Sequence, residues 1–465
     1  MAEANAPAPL ALPNPTQEAI DAPFAGDLLR RRELAGTLTA YLERLRSGAV
    51  LALDAPWGEG KTWFARHWAA QLRQEGYRVG VIDAFEQDYI DDPFLLIAAE
   101  LTQLCAADEG AAKTFRQKVA SAATTVLPFL ARVGVNALGR LAGTSDLADG
   151  ISEAAEAASD DAADAAKAWV EKRLAGYAAE KASVQAFTKE VEAFTATASD
   201  ANDGRPVVVF IDELDRCRPA FAVRLIERIK HFFDVPNLVF VLVMNRDQLE
   251  KAIRGVYGTE TDATAYLGKF LHLSLRLPKE DSLRVGENNH IIKAFVDAAL
   301  QRYGYLEDGG EFAHCLAACA VLFNLSLRDI ERACALYLLS GARWQGLMAY
   351  LIALKIKRPE IFRRLRARDD REALIECIRE LSPVGRRPEF DGDINLWPAS
   401  YFNLLKELLA LQPAALRGEP TVEDTLKQRR RLLYEHSQKL YGADTPHDVV
   451  QAFPKAVARL DLELT

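Results

Sequence analysis

Ala55-Pro56-Trp57-Gly58-Glu59-Gly60-Lys61-Thr62 lies between an apolar run, Val50-Leu51-Ala52-Leu53, and a segment of helical pattern, Trp63-Phe64-Ala65-Arg66-His67-Trp68. Strand, glycine-bearing loop and helix in that order are the layout of a phosphate-binding loop, G-x-x-x-x-G-K-[ST]. Backbone N–H groups around Gly58 and Gly60 can turn inward on a di- or triphosphate. The Lys61 ammonium can reach the terminal phosphates, and the Thr62 hydroxyl can hold Mg2+ at the helix N-terminus. Ala55 stands where the pattern has its first glycine; the glycines nearest the phosphates, Gly58 and Gly60, are present.

A Gly-Lys-Thr tripeptide also arises by chance, so the reading needs the acidic half of the site elsewhere in the chain. Val207-Val208-Val209-Phe210-Ile211-Asp212-Glu213 supplies it. Five apolar residues ending in two acids predict a buried central strand whose last residues reach the carboxyl edge of a sheet. There Asp212 can bind Mg2+, and Glu213 is the candidate base that orients the water attacking the γ-phosphorus.

The chain has 465 residues, 49% of them hydrophobic, enough for two or three domains. A formal charge of −9 disfavours a protein that coats nucleic acid or anionic membrane along its whole surface. Six cysteines, at 105, 217, 315, 319, 334 and 377, form no C-x-x-C pair, and the N-terminus does not read as a signal peptide. The expectation is reduced thiols in a cytoplasmic protein. His314, Cys315 and Cys319 lie close together, but the Ala-Leu-rich surroundings and the lack of a second ligand cluster favour core packing over a metal. The longest apolar stretches, near Ala120–Leu130 and Ala317–Leu327, are flanked by charges and fall short of the roughly 20 residues that span a bilayer.

The first 25 residues, rich in Ala and Pro, read as a mobile tail. Leu28, Leu34, Leu38, Leu42 and Leu45 predict a helix over Asp27–Arg46. Strands are expected at Ala49–Leu53, Arg78–Ile82, Val207–Ile211, Leu238–Met244 and Leu271–Leu277. The last alternates leucine with polar residues and so should bury one face only. Strands alternating with helical segments imply an α/β fold with a parallel sheet covered on both faces. The P-loop core is expected over 26–110 and 200–285. Between its halves, Ala-rich residues 111–199 read as a helical insert or as a partly disordered acidic linker. After Pro278 only helical periods appear, predicting an all-helical C-terminal domain over 286–465.

The string Ile211-Asp212-Glu213-Leu214-Asp215-Arg216-Cys217, taken with the phosphate loop, resembles the KAP family of P-loop NTPases. Further pieces follow in that family's order: Asp83-Ala84-Phe85-Glu86, with Phe85 in place of the usual tryptophan; Met244-Asn245-Arg246-Asp247; Tyr266-Leu267-Gly268-Lys269-Phe270; Arg276-Leu277-Pro278; and Asn324, Arg328 and Arg332. The resemblance spans about residues 26 to 365. It implies an ATPase core of the additional-strand class, related in plan to AAA+ and STAND switches, with ATP and Mg2+ as cofactors. Many members carry transmembrane helices between the two nucleotide motifs. Arg132, Arg140, Asp146 and the acidic run beyond them argue against membrane insertion here. The family also implies a suspected part in antiviral defence.

Carried over residue by residue, the resemblance assigns nucleotide contact to Trp57, Gly58, Glu59, Gly60, Lys61, Thr62 and Trp63, and Mg2+ to Thr62 and Asp212. Glu213 is assigned to water and Asn245 to sensing the γ-phosphate. Arg328 can contact phosphate from the helical region, or simply pair with Asp329 or Glu331. Arg216 and Arg218 can serve a neighbouring subunit's site, or pair with Asp215 or Asp212. The function expected is an ATP-hydrolysing switch that moves its helical region and acts through a partner protein or self-assembly. Two rivals remain: a nucleic-acid-responsive ATPase using the basic run Lys355, Lys357, Arg358, Arg363, Arg364, Arg366 and Arg368, and an ATP-binding scaffold without turnover. Glu360, Asp369 and Asp370 beside that run also fit an ordinary solvated helix face.

Overall fold

Continuous apolar runs need cover on both faces, and the chain meets that demand with a parallel sheet. The computed structural model describes residues 20–90, 93–105, 185–186, 188–200, 203–232, 235–278, 289–305, 310–366, 370–381, 396–413, 415–417, 423–441 and 444–460. The strands are β1 (Ala49–Asp54), β2 (Val79–Asp83), β3 (Val207–Asp212), β4 (Leu238–Met244) and β5 (Leu273–Arg276). Their order across the sheet is β2-β3-β4-β1-β5, and every neighbouring pair is parallel. Thus β4 lies between the strand that feeds the phosphate loop and the strand that ends in Asp212. This is the additional strand that the resemblance implied.

The pleat divides the core in two. Val50, Ala52, Val209, Ile211, Phe240 and Leu242 share one buried cluster with residues of helices Pro93–Cys105 and Pro219–Ile229. Leu51, Leu53, Val208, Phe210, Val241 and Val243 share another with helices Arg31–Leu42 and Lys61–Gln74. At roughly 1.5–3 kcal/mol for each large aliphatic side chain buried, β1, β3 and β4 anchor the sheet. At the outer edge of β2, Glu100 Oε1 accepts the Val81 amide at 3.0 Å, and Arg73 donates twice to the Val79 carbonyl, at 3.2 and 3.0 Å. Gly80 makes room for this carboxylate, since a Cβ there would stand 2.7 Å from Glu100 Oε1.

The chain divides into two compact units: Ala19–Pro56 with Lys61–Leu277, and Pro278–Thr465 with the short segment Trp57–Gly60. The second unit is helical among its described residues. Its centre is helix Gln345–Lys357, whose residues from Gly346 to Leu354 are all buried, as a helix apolar all round must be. Pro454 interrupts helix Asp448–Arg459 and has no N–H to give the Val450 carbonyl. The buried Gln412 Nε2 donates to that carbonyl instead, at 3.3 Å. No helix among the described residues is long and apolar enough to cross a membrane.

Several details depart from the sequence reading. β5 is shorter than Leu271–Leu277, and Leu273 and Leu275 are only half-buried, because the strand is an edge with one neighbour. Phe24 falls within the expected tail, yet it is 5% exposed, with its ring 5.7 Å from Trp63 and 6.0 Å from Phe64. Its aromatic payload finds the helix after the phosphate loop in spite of its Ala- and Pro-rich neighbours. Residues 1–19 lie outside the described residues. So does most of the expected insert 111–199, apart from residues 185–186 and 188–199, which are helical and bury Val191 and Ala198. The helix that carries His314, Cys315 and Cys319 buries both thiols and exposes the histidine. Among the described residues no group of three or more His, Cys, Asp or Glu is arranged to hold a metal.

Candidate nucleotide site

β1 ends at Asp54, and the chain turns at once. Gly58 (φ +83°) and Gly60 (φ +76°) take conformations that side-chain-bearing residues rarely adopt. Helix Lys61–Gln74 then begins with no acid in its first turn, leaving its first N–H groups and the positive end of its dipole for an anion. Lys61 is 8% exposed. Its ammonium donates to the carbonyls of Ala55 and Pro56 at 2.7 and 3.2 Å. Burial lowers its pKa, opposed by Asp215, Asp212, Glu213 and Asp54. A cation destabilised by desolvation would be compensated by the charge of a bound phosphate.

Asp212, the last residue of β3, is 5% exposed. Burial, reinforced by Glu213, pushes its carboxyl up to about 6, while the Glu213 amide and the Thr62 hydroxyl pull the other way. The Glu213 N–H donates to Asp212 Oδ1 at 2.8 Å. Glu213 leaves the strand with φ +60°, an unusual backbone for a residue with a side chain and a feature that clusters at functional positions. The turn brings Glu213 Oε1 to the Thr62 hydroxyl, which donates to it at 3.2 Å, and Oε2 to an ion pair with Arg216. Burial raises the Glu213 pKa against the pull of Arg216 and Thr62. Thr62, Asp212 and Glu213 are therefore brought together from two separate stretches of sequence. One hydroxyl beside one buried, destabilised carboxylate is the hard-oxygen donor set that suits Mg2+, which takes its other ligands from phosphate and water.

Asn245 follows β4 and is 8% exposed. Its Oδ1 accepts the Gln248 amide at 3.4 Å, capping helix Arg246–Tyr257, so only its Nδ2 donors are left for a phosphate. Asp54 Oδ1 receives the Arg246 amide at 2.8 Å, tying the tips of β1 and β4. Trp63 is half-buried, with its ring tilted against that of His67 at 4.0 Å between centroids. Glu59 is buried, and Trp57 is 46% exposed.

Residues 31–332 match the model of the KAP family P-loop domain. This chain belongs to the KAP family. No curated protein matches it by sequence. Among solved structures it is similar to the Aeropyrum pernix ORC2 protein, determined in ADPNP-ADP complexes, at 13% identity with a TM-score of 0.34, over 93% of this chain and 95% of that one. At that score the likeness adds nothing to the reading of the site.

For a KAP P-loop NTPase, the placement of the arginines matters. Arg216 pairs with Glu213, and Arg218 with Asp88 at 3.5 Å. The left-handed turn at Glu213 presents that acid to Arg216. Within the helical unit, Arg328 is exposed. The acids that the sequence offered it are engaged elsewhere: Asp329 with Lys357 and Glu331 with Arg302, each at 2.6 Å. The basic run is largely spoken for. Besides Lys357, Arg358 pairs with Glu380, Arg364 with Asp370, Glu372 and Glu376, and Lys355 donates to the Leu460 carbonyl. Arg368 lies outside the described residues. Sequence reading missed Asp54 and Ser326. A signal for Ser326 was present, since Ser326-Leu327-Arg328-Asp329 has the spacing of a helix-capping box.

Proposed function

We propose that this KAP protein binds Mg2+ and a nucleoside triphosphate at the carboxyl edge of its sheet and hydrolyses the γ-phosphate slowly, as a switch. The observation that carries this reading is the meeting of Thr62, Asp212 and Glu213 beside the buried Lys61. Lys61 offsets phosphate charge, Thr62 and Asp212 hold the metal, and the metal neutralises charge developing on the phosphoryl oxygens. Glu213 orients and polarises water, and its raised pKa suits a base. Asn245 and Arg328 are assigned to the γ-phosphate. Adenine as the base, a cytoplasmic location, a partner protein or self-assembly as output, and a role in antiviral defence follow the family resemblance.

Coupling of the nucleotide state to the helical unit follows the family resemblance. The extensive pairing of the basic run favours this switch over the nucleic-acid reading. Calorimetry with Mg2+ and a non-hydrolysable ATP analogue, together with a phosphate-release assay, tests the function. Lys61→Ala is expected to abolish binding, and unchanged affinity in that variant refutes the site.

A further inference from the structure

Resting on that nucleotide reading, the helical unit holds a second group with a role at the phosphate loop. Helix Leu327–Leu339 opens with a complete capping box: the Ser326 hydroxyl accepts the Asp329 amide at 3.2 Å, and Asp329 Oδ2 accepts the Ser326 amide at 3.0 Å. Lys357 pins the same carboxylate oxygen at 2.6 Å. A helix start leaves several N–H groups without helical partners. Here the Arg328 amide, one of them, donates to the Gly58 carbonyl at 3.2 Å. Ser326 fits against the bare Cα of Gly58 so closely that a Cβ there would lie 2.6 Å from Ser326 Oγ and 3.0 Å from Arg328 Cβ. These contacts lie within one compact unit, to which Trp57–Gly60 belongs. With its carbonyl taken by Arg328 and its Cα faced by Ser326, Gly58 is held in its positive-φ conformation from both sides.

We propose that Ser326 is a positioning residue for the phosphate loop, fixing Gly58 so that the loop amides stay turned for nucleotide phosphate without Ser326 touching the nucleotide. Its action falls on the phosphates common to ADP and ATP, so both nucleotides feel it alike. A group that reads the γ-phosphate alone would separate them.

The experiment compares wild type, Ser326→Gly, Ser326→Ala and Lys61→Ala. Binding of Mg2+-ADP and a Mg2+-bound non-hydrolysable ATP analogue is measured by calorimetry. Melting temperature and hydrogen exchange of the 55–62 segment are measured without nucleotide. Glycine is nearly as good an N-cap as serine and alanine is poor, so Ser326→Gly should melt close to wild type and Ser326→Ala lower. Both should bind ADP and the ATP analogue about fivefold more weakly, as a loosened Gly58 turns one loop amide away from the phosphate and forfeits its hydrogen bond, with faster exchange in the loop. Wild-type affinity and loop protection in Ser326→Gly, with binding lost in Lys61→Ala, would reduce Ser326 to a helix cap and overturn this inference alone. Folded wild type that binds neither nucleotide overturns the nucleotide reading and this inference with it.

Discussion

Replacing Asp212 with asparagine keeps the shape of the side chain and removes a charge that the fold holds at a disadvantage. Burial, with the neighbouring Glu213 adding to it, places the carboxyl at about 6 against an ordinary 3.8. The difference, 6 − 3.8 = 2.2, at about 1.4 kcal/mol per unit, means that ionised Asp212 costs the folded chain about 3 kcal/mol relative to the unfolded one. Because the folded state keeps its proton to higher pH, the cost is absent below 3.8, grows as pH rises towards about 6, and is constant above. Without metal or nucleotide, Asp212→Asn should therefore be the more stable protein at about pH 8, by about 3 kcal/mol, and should lose that advantage near pH 4. Urea denaturation across the range measures this. Glu213, also shifted upward, remains in both proteins, and because its charge adds to the Asp212 shift the difference between them reports Asp212 together with its coupling to Glu213. With Mg2+ and nucleotide present the order should shift towards wild type, since a ligand stabilises the form that binds it. An asparagine variant less stable than wild type at every pH would mean that the carboxylate is not held in wait for a cation, and the metal assignment would fall.

Glu213→Gln should retain nucleotide affinity while phosphate release stops, because the amide keeps the Thr62 contact but is no base; turnover at the wild-type rate would shift the role to another acid, with Asp215 next in line. Arg328→Ala keeps the backbone amide that holds Gly58, so ADP affinity should be unchanged while the ATP analogue binds more weakly and its effect on scattering profiles is lost; equal responses in both proteins would make Arg328 a surface arginine.

The strands legible in the sequence are those that the sheet buries on both faces. In β3 and β4 every residue is buried, and an unbroken apolar run admits few other readings. β5 was harder because leucines at 271, 273, 275 and 277 alternate past both ends of the strand, and only the length of its pairing with β1 sets where it stops. The acids and bases of the site show the same limit. Their residue types and order could be read from the motifs, but not their pairing. Arg216 pairs with Glu213, an acid that a left-handed backbone turn at one residue brings to it. Arg328 loses Asp329 to Lys357, distant in sequence. Phe24 was invisible for a related reason, since its contacts with Trp63 and Phe64 come from the fold and not from its own neighbours.

The carboxylate and guanidinium laid along β2 bear on how copies of this chain can associate. An open strand edge invites backbone-to-backbone joining, which is tenacious and indifferent to nucleotide. Glu100 and Arg73 already satisfy the Val81 N–H and the Val79 carbonyl at that edge, so a second sheet cannot continue there without first displacing them. Any association on that flank would have to use side-chain surfaces, whose contacts are more readily remade and released. The switch proposed above would benefit from a β2 edge closed in this way.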